Sequence, residues 1–263
     1  MAAERCETKA FGVEAGLPPY RLRQARYYEL GKDCANWADE LFKGNNRRLK
    51  FLDVGMHTGV LRRYTEIHPS SKHIDYEGVD VFPHGKDRVY KRAEWILHQH
   101  NLEEGMPGVE ANNYDVVVCE QVLEHLSKPH VALSEMYRVL KPGGRLVVGV
   151  PIFPPGLDLI RKYVVPATDR FFAVKKVRGH VQGWSRGSFL RFVRRTCSDL
   201  VVEKTRGFRI VSGGILRPLE YHRWWWQMNR KIGSVASALC VEIQVIAHKP
   251  QSQTAGKRLN SAA

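Results

Sequence analysis

Residues 51–60 read FLDVGMHTGV, and residues 77–82 read EGVDVF. Phe51 to Val54 is a short apolar run carrying one carboxylate, Asp53. It runs into a turn containing Gly55 and Gly59, and Val60-Leu61 opens a helix-like stretch. A strand, a glycine-bearing turn and a helix start suit a nucleotide-type cofactor, because glycine admits the ligand close to the backbone and the helix start offers unpaired N–H groups. The second carboxylate, Asp80, follows 27 residues after Asp53. That distance places it at the end of the next parallel strand, where a carboxylate can hold ribose hydroxyls.

Outward from this stretch the chain alternates. Strand-like runs lie at 50–54, 76–81, 95–98, 114–119 and 145–150, with helix-like stretches between them at 60–67 and 130–140. Pro142-Gly143-Gly144 reads as a turn before the 145–150 run. Alternation of this kind predicts an α/β, doubly wound, mostly parallel sheet with helices on both faces. Ligands bind such sheets at the carboxyl ends of the strands, where Gly55, Asp80, Asn101 and Glu120 all fall. Upstream, Tyr27, Leu30, Cys34, Trp37 and Leu41 recur at helical spacing within 21–42, and Gly44-Asn45-Asn46 is expected to end that helix. Downstream, Ser185 is a helix cap, runs 200–204 and 207–212 are strand-like, and Leu239–Ala247 reads as a strand.

Two further segments, NYDVVVCEQVLEHL at 113–126 and YRVLKPGGRLVVGVP at 137–151, join LDVGMHTG in one order and spacing. Together they resemble the class I S-adenosylmethionine-dependent methyltransferases of the small-molecule "LEH" group. The resemblance is good over about residues 50–151 and loose elsewhere. It implies a seven-stranded Rossmann-like sheet and S-adenosylmethionine as cofactor. The Gly55–Gly59 turn would then approach the methionine part, Asp80 with Val81 beside it would take the ribose, Asn101-Leu102 would lie by the adenine, and Glu120 would line the methionine end. One position departs from the family's D-x-G-x-G-x-G loop: its middle glycine is His57. Either His57 turns outward or contacts the methionine carboxylate and the site works, or cofactor affinity is weakened.

Methyl transfer needs orientation and sometimes a base. His125, next to Glu124, is one candidate base, against a purely bracing role for the pair. His180, in GHVQGWS, is the other, against a plain surface loop. Asn101 reads equally well as an ordinary turn residue. His98-x-His100 puts two imidazoles on one strand face, but no third ligand has suitable spacing, so no metal is expected. The absence of G-x-S-x-G argues against a hydrolase of that type, and GMHTG lacks the G-x-G-x-x-G spacing of a nicotinamide site.

The 263 residues suffice for one α/β domain, expected over 19–250, with a flexible segment at 1–18 and a disordered tail at 251–263. Residues 151–184 and 213–236, the latter containing Trp224-Trp225-Trp226, break the alternation and are expected to form an acceptor-side cap. Five dispersed cysteines, no apolar segment within 1–20 and no run of about 20 apolar residues predict a reduced, cytoplasmic protein, with peripheral membrane contact left open. A formal charge of +14 points to an anionic or amphipathic partner, or to a solvated basic surface. The acceptor classes are therefore a small-molecule, lipid-linked or glycan-like oxygen or nitrogen; alternatives are RNA, or binding without catalysis on a methyltransferase scaffold.

Overall fold

The computed structural model describes residues 25–57, 59–81, 96–153, 181–210, 219 and 222–251. The expectations for 1–18, for the interior of the 151–184 insertion with His180, for the start of the 213–236 insertion and for most of the 251–263 tail lie outside these residues.

Helix α1 (Ala25–Asn45) is amphipathic and buries Leu30, Cys34 and Ala38. It continues through Gly44 and Asn45, and the left-handed residue after it is Asn46, at φ 49°. The expected glycine stop is thus displaced by two positions; asparagine tolerates that conformation because its short amide can hydrogen-bond locally. Strand β1 (Leu49–Val54) leads to α2 (Val60–Glu66), then to β2 (Ile74–Asp80), β3 (Ile96–Gln99) and β4 (Tyr114–Glu120). A 3₁₀ turn at Leu123–His125 and α3 (Pro129–Val139) precede β5 (Leu140–Pro151). Helix α4 (Arg186–Thr196), β6 (Val201–Phe208), α5 (Arg223–Val235) and β7 (Glu242–His248) complete the order.

The strands form one seven-stranded sheet in the order β3-β2-β1-β4-β5-β7-β6. Neighbours from β3 to β5 are parallel, whereas β7 runs antiparallel to both β5 and β6. The chain leaves β1 toward β2 on one side and reaches β4 on the other, so the switch of direction lies between β1 and β4. Alternate residues of each strand serve opposite faces. Phe51, Val116, Val118, Val147 and Ile246 meet α1 and α2 on one face. Leu52, Val117, Leu146 and Val245 meet Leu133 and Met136 of α3 and Phe189 of α4 on the other. Each such fully buried side chain contributes about 1.5–3 kcal/mol.

Two sequence readings change. Pro142-Gly143-Gly144 is not a turn ahead of a strand but a bulge within β5: Tyr114 pairs with Leu140 and Val116 with Arg145. Gly143, at φ 79°, donates its N–H to the Lys249 carbonyl, and Lys249 returns a bond to Gly144, so β7's end supports the bulge. The run 200–204 and the start of the run 207–212 join in one strand, β6, which ends at Phe208 and has a register shift between Val202 and Lys204; residues 211–212 lie outside the described residues. The Ser185 cap is present: its hydroxyl accepts from the Ser188 N–H, and Ser188 reciprocates. Ile152 bridges Trp184, and the Phe153 N–H donates to the Trp184 carbonyl, so the two ends of the first insertion are pinned together. Within the second insertion α5 is docked on the domain. Trp225 and Asn229 are buried, and Asn229 accepts from the Ile210 N–H while donating to the Trp225 carbonyl.

Candidate cofactor and active site

The carboxyl ends of β1, β2 and β4 open onto a crevice of about 360 Å³ at the switch point. That volume is within the range of small-molecule clefts. It gathers Asp53, Gly55, His57, Asp80, Glu120 and His125 from the sequence-derived set. Gly59 closes the same turn at φ 66° and precedes α2.

The turn after β1 requires glycine for a steric reason. Gly55 sits at φ 74°, and a Cβ there would lie 2.2 Å from Cγ2 of Val122, the residue leading into the 3₁₀ turn after β4. The two cofactor-facing loops can touch only because this side chain is missing. His57 is also left-handed, at φ 45°. Its backbone therefore takes a conformation that glycine adopts freely, and its N–H donates to Asp80 Oδ2 at 2.8 Å. The Val81 N–H donates to the other oxygen, Oδ1, at 2.7 Å. Each carboxylate oxygen has a second acceptor site, so Asp80 is fixed in place and can still accept from a ribose diol. Asp53 lies deeper and accepts from the Tyr76 hydroxyl. Burial pushes its carboxyl up to about 7, against the bond from Tyr76.

On the opposite wall Glu120 is buried, and its Oε1 accepts from Gln244 Nε2 at 2.8 Å. Arg26 Nε lies 3.4 Å from Glu120 Oε2 but its Nη1 is 2.8 Å from Glu242, which Arg209 also contacts. The nearer carboxylate takes the charge. The Glu242 carboxyl is pulled below its usual range, Arg26 and Arg209 overcoming its burial, whereas burial pushes Glu120 up to about 8. Glu120 rests over Gly149, where a Cβ would come 2.4 Å from its carboxylate.

Glu124 is 1% exposed, neither carboxylate oxygen has a hydrogen-bond partner, and burial pushes the group up to about 7. His125 Nε2 is 3.9 Å from Glu124 Oε1, and the imidazole is half exposed on the crevice wall. The Glu124 carbonyl accepts from the N–H groups of Val181 and Gln182, which ties the end of the first insertion to this turn. His180 itself lies outside the described residues.

The crevice lining does not include Val81, Asn101 or Leu102. The Asn101 amide donates to Glu104 and accepts from the Glu103 N–H, as a turn residue does. Leu102 is a core side chain at 2% exposure. Of the two imidazoles on β3's strand pattern, His98 binds Glu77 at 2.8 Å, and among the described residues no group of three or more His, Cys, Asp or Glu is arranged to hold a metal. Reading the sequence missed Tyr27, which lines the crevice from α1, and Gln121, a lining residue held at φ 59°. Tyr27 reads only as part of α1's apolar stripe, and no residue type announces a left-handed glutamine.

The residues present fit S-adenosylmethionine: a turn whose glycine brings two loops together, an anchored carboxylate at the β2 end, and a switch-point crevice. Comparison with known proteins agrees. A family model described as a methyltransferase domain matches residues 23–196, about two-thirds of the chain. An uncharacterized 37.1 kDa protein of transposon TN4556 from Streptomyces fradiae is 40% identical over 131 residues, covering 44% of this chain and 34% of that protein. A ubiquinone biosynthesis O-methyltransferase from Psychrobacter cryohalolentis is 28% identical over 105 residues, covering 38% of this chain and 39% of its own length. The chain thus spans little more than a third of either relative. A structure from Galdieria sulphuraria, proposed to be a sarcosine dimethylglycine methyltransferase, shares the fold at 16% identity and a TM-score of 0.53, covering 95% of this chain and 99% of that one. From the match over residues 23–196 and the crevice those residues build, the chain belongs to the methyltransferase-domain family, whose cofactor is S-adenosylmethionine.

Proposed function

We propose that this protein transfers a methyl group from S-adenosylmethionine to an oxygen or nitrogen of a small-molecule, lipid-linked or glycan-like acceptor. The observation carrying this reading is the convergence of Gly55, Asp80, Glu120 and His125 on one crevice at the β1–β4 switch point. Partial similarity to a ubiquinone biosynthesis O-methyltransferase supports the small-molecule class and oxygen as the acceptor atom.

The cofactor supplies an activated sulfonium methyl, and the protein supplies orientation and proton removal. Asp80, held by the His57 and Val81 N–H groups, would hold the ribose of the cofactor. Glu120, whose carboxyl is pushed up to about 8 by burial, can donate a hydrogen bond in its protonated form. His125, beside the buried Glu124, accepts the acceptor's proton.

Calorimetry with S-adenosylhomocysteine tests the cofactor half: saturable micromolar binding is expected, and none at millimolar ligand sinks the proposal. For the catalytic half, single-turnover methylation of a quinol-type phenol by His125→Ala should fall by about 10²–10⁴-fold with cofactor affinity unchanged.

A further inference from the structure

A second and larger cavity, of about 590 Å³, lies between α1, β6 and α5. Strand alternation puts Lys204, Arg206 and Phe208 of β6 on the face that α1 covers, and all three line it. Helix α5 adds Gln227, Arg230, Lys231 and Ser234, which at spacings of three, four and seven from Gln227 form one stripe. The acid among the lining residues is Glu29 of α1, 2.9 Å from Arg230. The helix and strand meet closely: a Cβ on Gly233 would lie 2.0 Å from the Gly207 carbonyl oxygen. The stripe is therefore held at a fixed distance from β6.

Four cations line the cavity against two carboxylates, Glu29 on Arg230 and Asp33 on Arg206, which leaves Lys204 and Lys231 unmatched. Arg206 is anchored, its Nη1 being 2.7 Å from Asp33, and its side chain is 8% exposed. Its Nε and Nη2 are buried with no hydrogen-bond partner. Lys204 and Lys231 have no carboxylate partner among the described residues and are exposed. Gathering like charges around a concave, partly apolar space is unfavourable unless an anion offsets it. The cavity does not belong to the cofactor crevice. Tyr27 lines the crevice and Glu29 the cavity, and two residues apart on a helix they point to nearly opposite sides of α1.

We propose that this cavity binds a phosphate-bearing ligand, with Lys204 and Lys231 as the mouth and Arg206 as the anchored base. The phosphate is held by the cations, and Phe208 offers apolar contact to the remainder of the ligand. The phosphate can belong to a free ester or to a lipid headgroup, and the same lysines recognise either.

The test uses the full chain and pyrophosphate, glycerol 3-phosphate and vesicles containing phosphatidic acid, at matched ionic strength. Saturable binding of at least one probe is expected, weakened at least tenfold in the double variant Lys204→Glu/Lys231→Glu. The double variant Lys43→Glu/Lys72→Glu changes the net charge equally on exposed residues elsewhere and should bind like the parent. Binding of soluble esters without vesicles assigns a free ligand, and vesicle binding that depends on the two lysines assigns a headgroup. No saturable binding of any probe, or equal losses in both double variants, overturns the proposal. S-adenosylhomocysteine affinity should be the same in all three proteins, so loss of cofactor binding in the parent would count against the methyltransferase reading and not against this one.

Discussion

The two cavities flank one helix and are built on opposite principles. The crevice at the β1–β4 switch is lined by carboxylates, Asp53, Asp80 and Glu120, that are buried or fixed by backbone N–H groups. The cavity beneath α5 is lined by cations on long side chains. The crevice borrows its geometry from loops following neighbouring parallel strands, so a glycine and a strand end suffice to shape it. The cavity depends on residues near 29, 206 and 230, which only packing brings together. Helix α1 belongs to both, through Tyr27 on one side and Glu29 on the other, and Arg26 at its start links Glu120 to Glu242.

Loss of the Arg26 link should have the largest effect. Arg26→Met should leave Glu242 short of a buried partner and lower stability by roughly 3–5 kcal/mol. For a chain of this size that is a fall in the thermal midpoint of about 6–20 °C, read by scanning calorimetry. A fall under two degrees would mean that α1 is not the shared wall described here.

Next in size is the crevice alone. Asp80→Ala should weaken S-adenosylhomocysteine by about 2–3 kcal/mol, roughly 30- to 150-fold, through loss of charge-assisted bonds. Affinity for phosphate probes should stay at the parent value, and a parallel loss there would merge the two cavities into one site.

The pH dependence sharpens the contrast further. Burial raises Asp53 to about 7, Glu120 to about 8 and Glu124 to about 7. A carboxyl raised in the folded state contributes stability that is complete below its unfolded pKa and is lost as pH rises through the folded value. The crevice should therefore lose stability between about pH 5 and 8. Glu77, Asp115 and Glu242 are lowered by cationic or hydrogen-bonding partners that outweigh burial, so their contributions are lost as pH falls below the ordinary carboxylate range. The thermal midpoint should peak on the acid side of neutrality and decline toward pH 9, and Glu120→Gln should flatten the decline. An unchanged decline in that variant would show that Glu120 is ionised in the fold.

The smallest expected effect is at His57. Glycine relieves a left-handed backbone and should add about 1 kcal/mol, or about 2–4 °C, with cofactor affinity within a few-fold of the parent. A rise from no binding to micromolar binding in His57→Gly would make the natural protein a scaffold rather than an enzyme.

Sequence and structure agree best where information is local. Asp53, Gly55, Gly59 and Asp80 were legible because each lies at a strand end or turn whose position follows from a few neighbouring residues, and strand order then brings their loops together. Glu120 and His125 were legible through one contiguous segment after β4. Asn101 and Leu102 had the right spacing; in the structure the Asn101 amide makes two bonds within its own turn, and the Leu102 side chain is in the core. Gly149 could not be recognised as the seat for Glu120, since that contact joins two strands through the absence of a side chain. Nor could Trp225, expected within the acceptor-side cap, be told from its exposed neighbour Trp224, because only α5's docking against Ile210 turns one ring inward.

The sequence by itself determined the α/β alternation, the cofactor turn, the cap at Ser185 and the excess of positive charge. Those depend on periodicity, backbone stereochemistry and composition, all properties of neighbouring residues or of the whole count. Tertiary structure alone decided where that charge is concentrated, which carboxyls are driven toward neutrality and which loops touch. Burial and electrostatic coupling act over a few ångströms in space, and residues such as Arg26 and Glu242 become neighbours only when the sheet has formed.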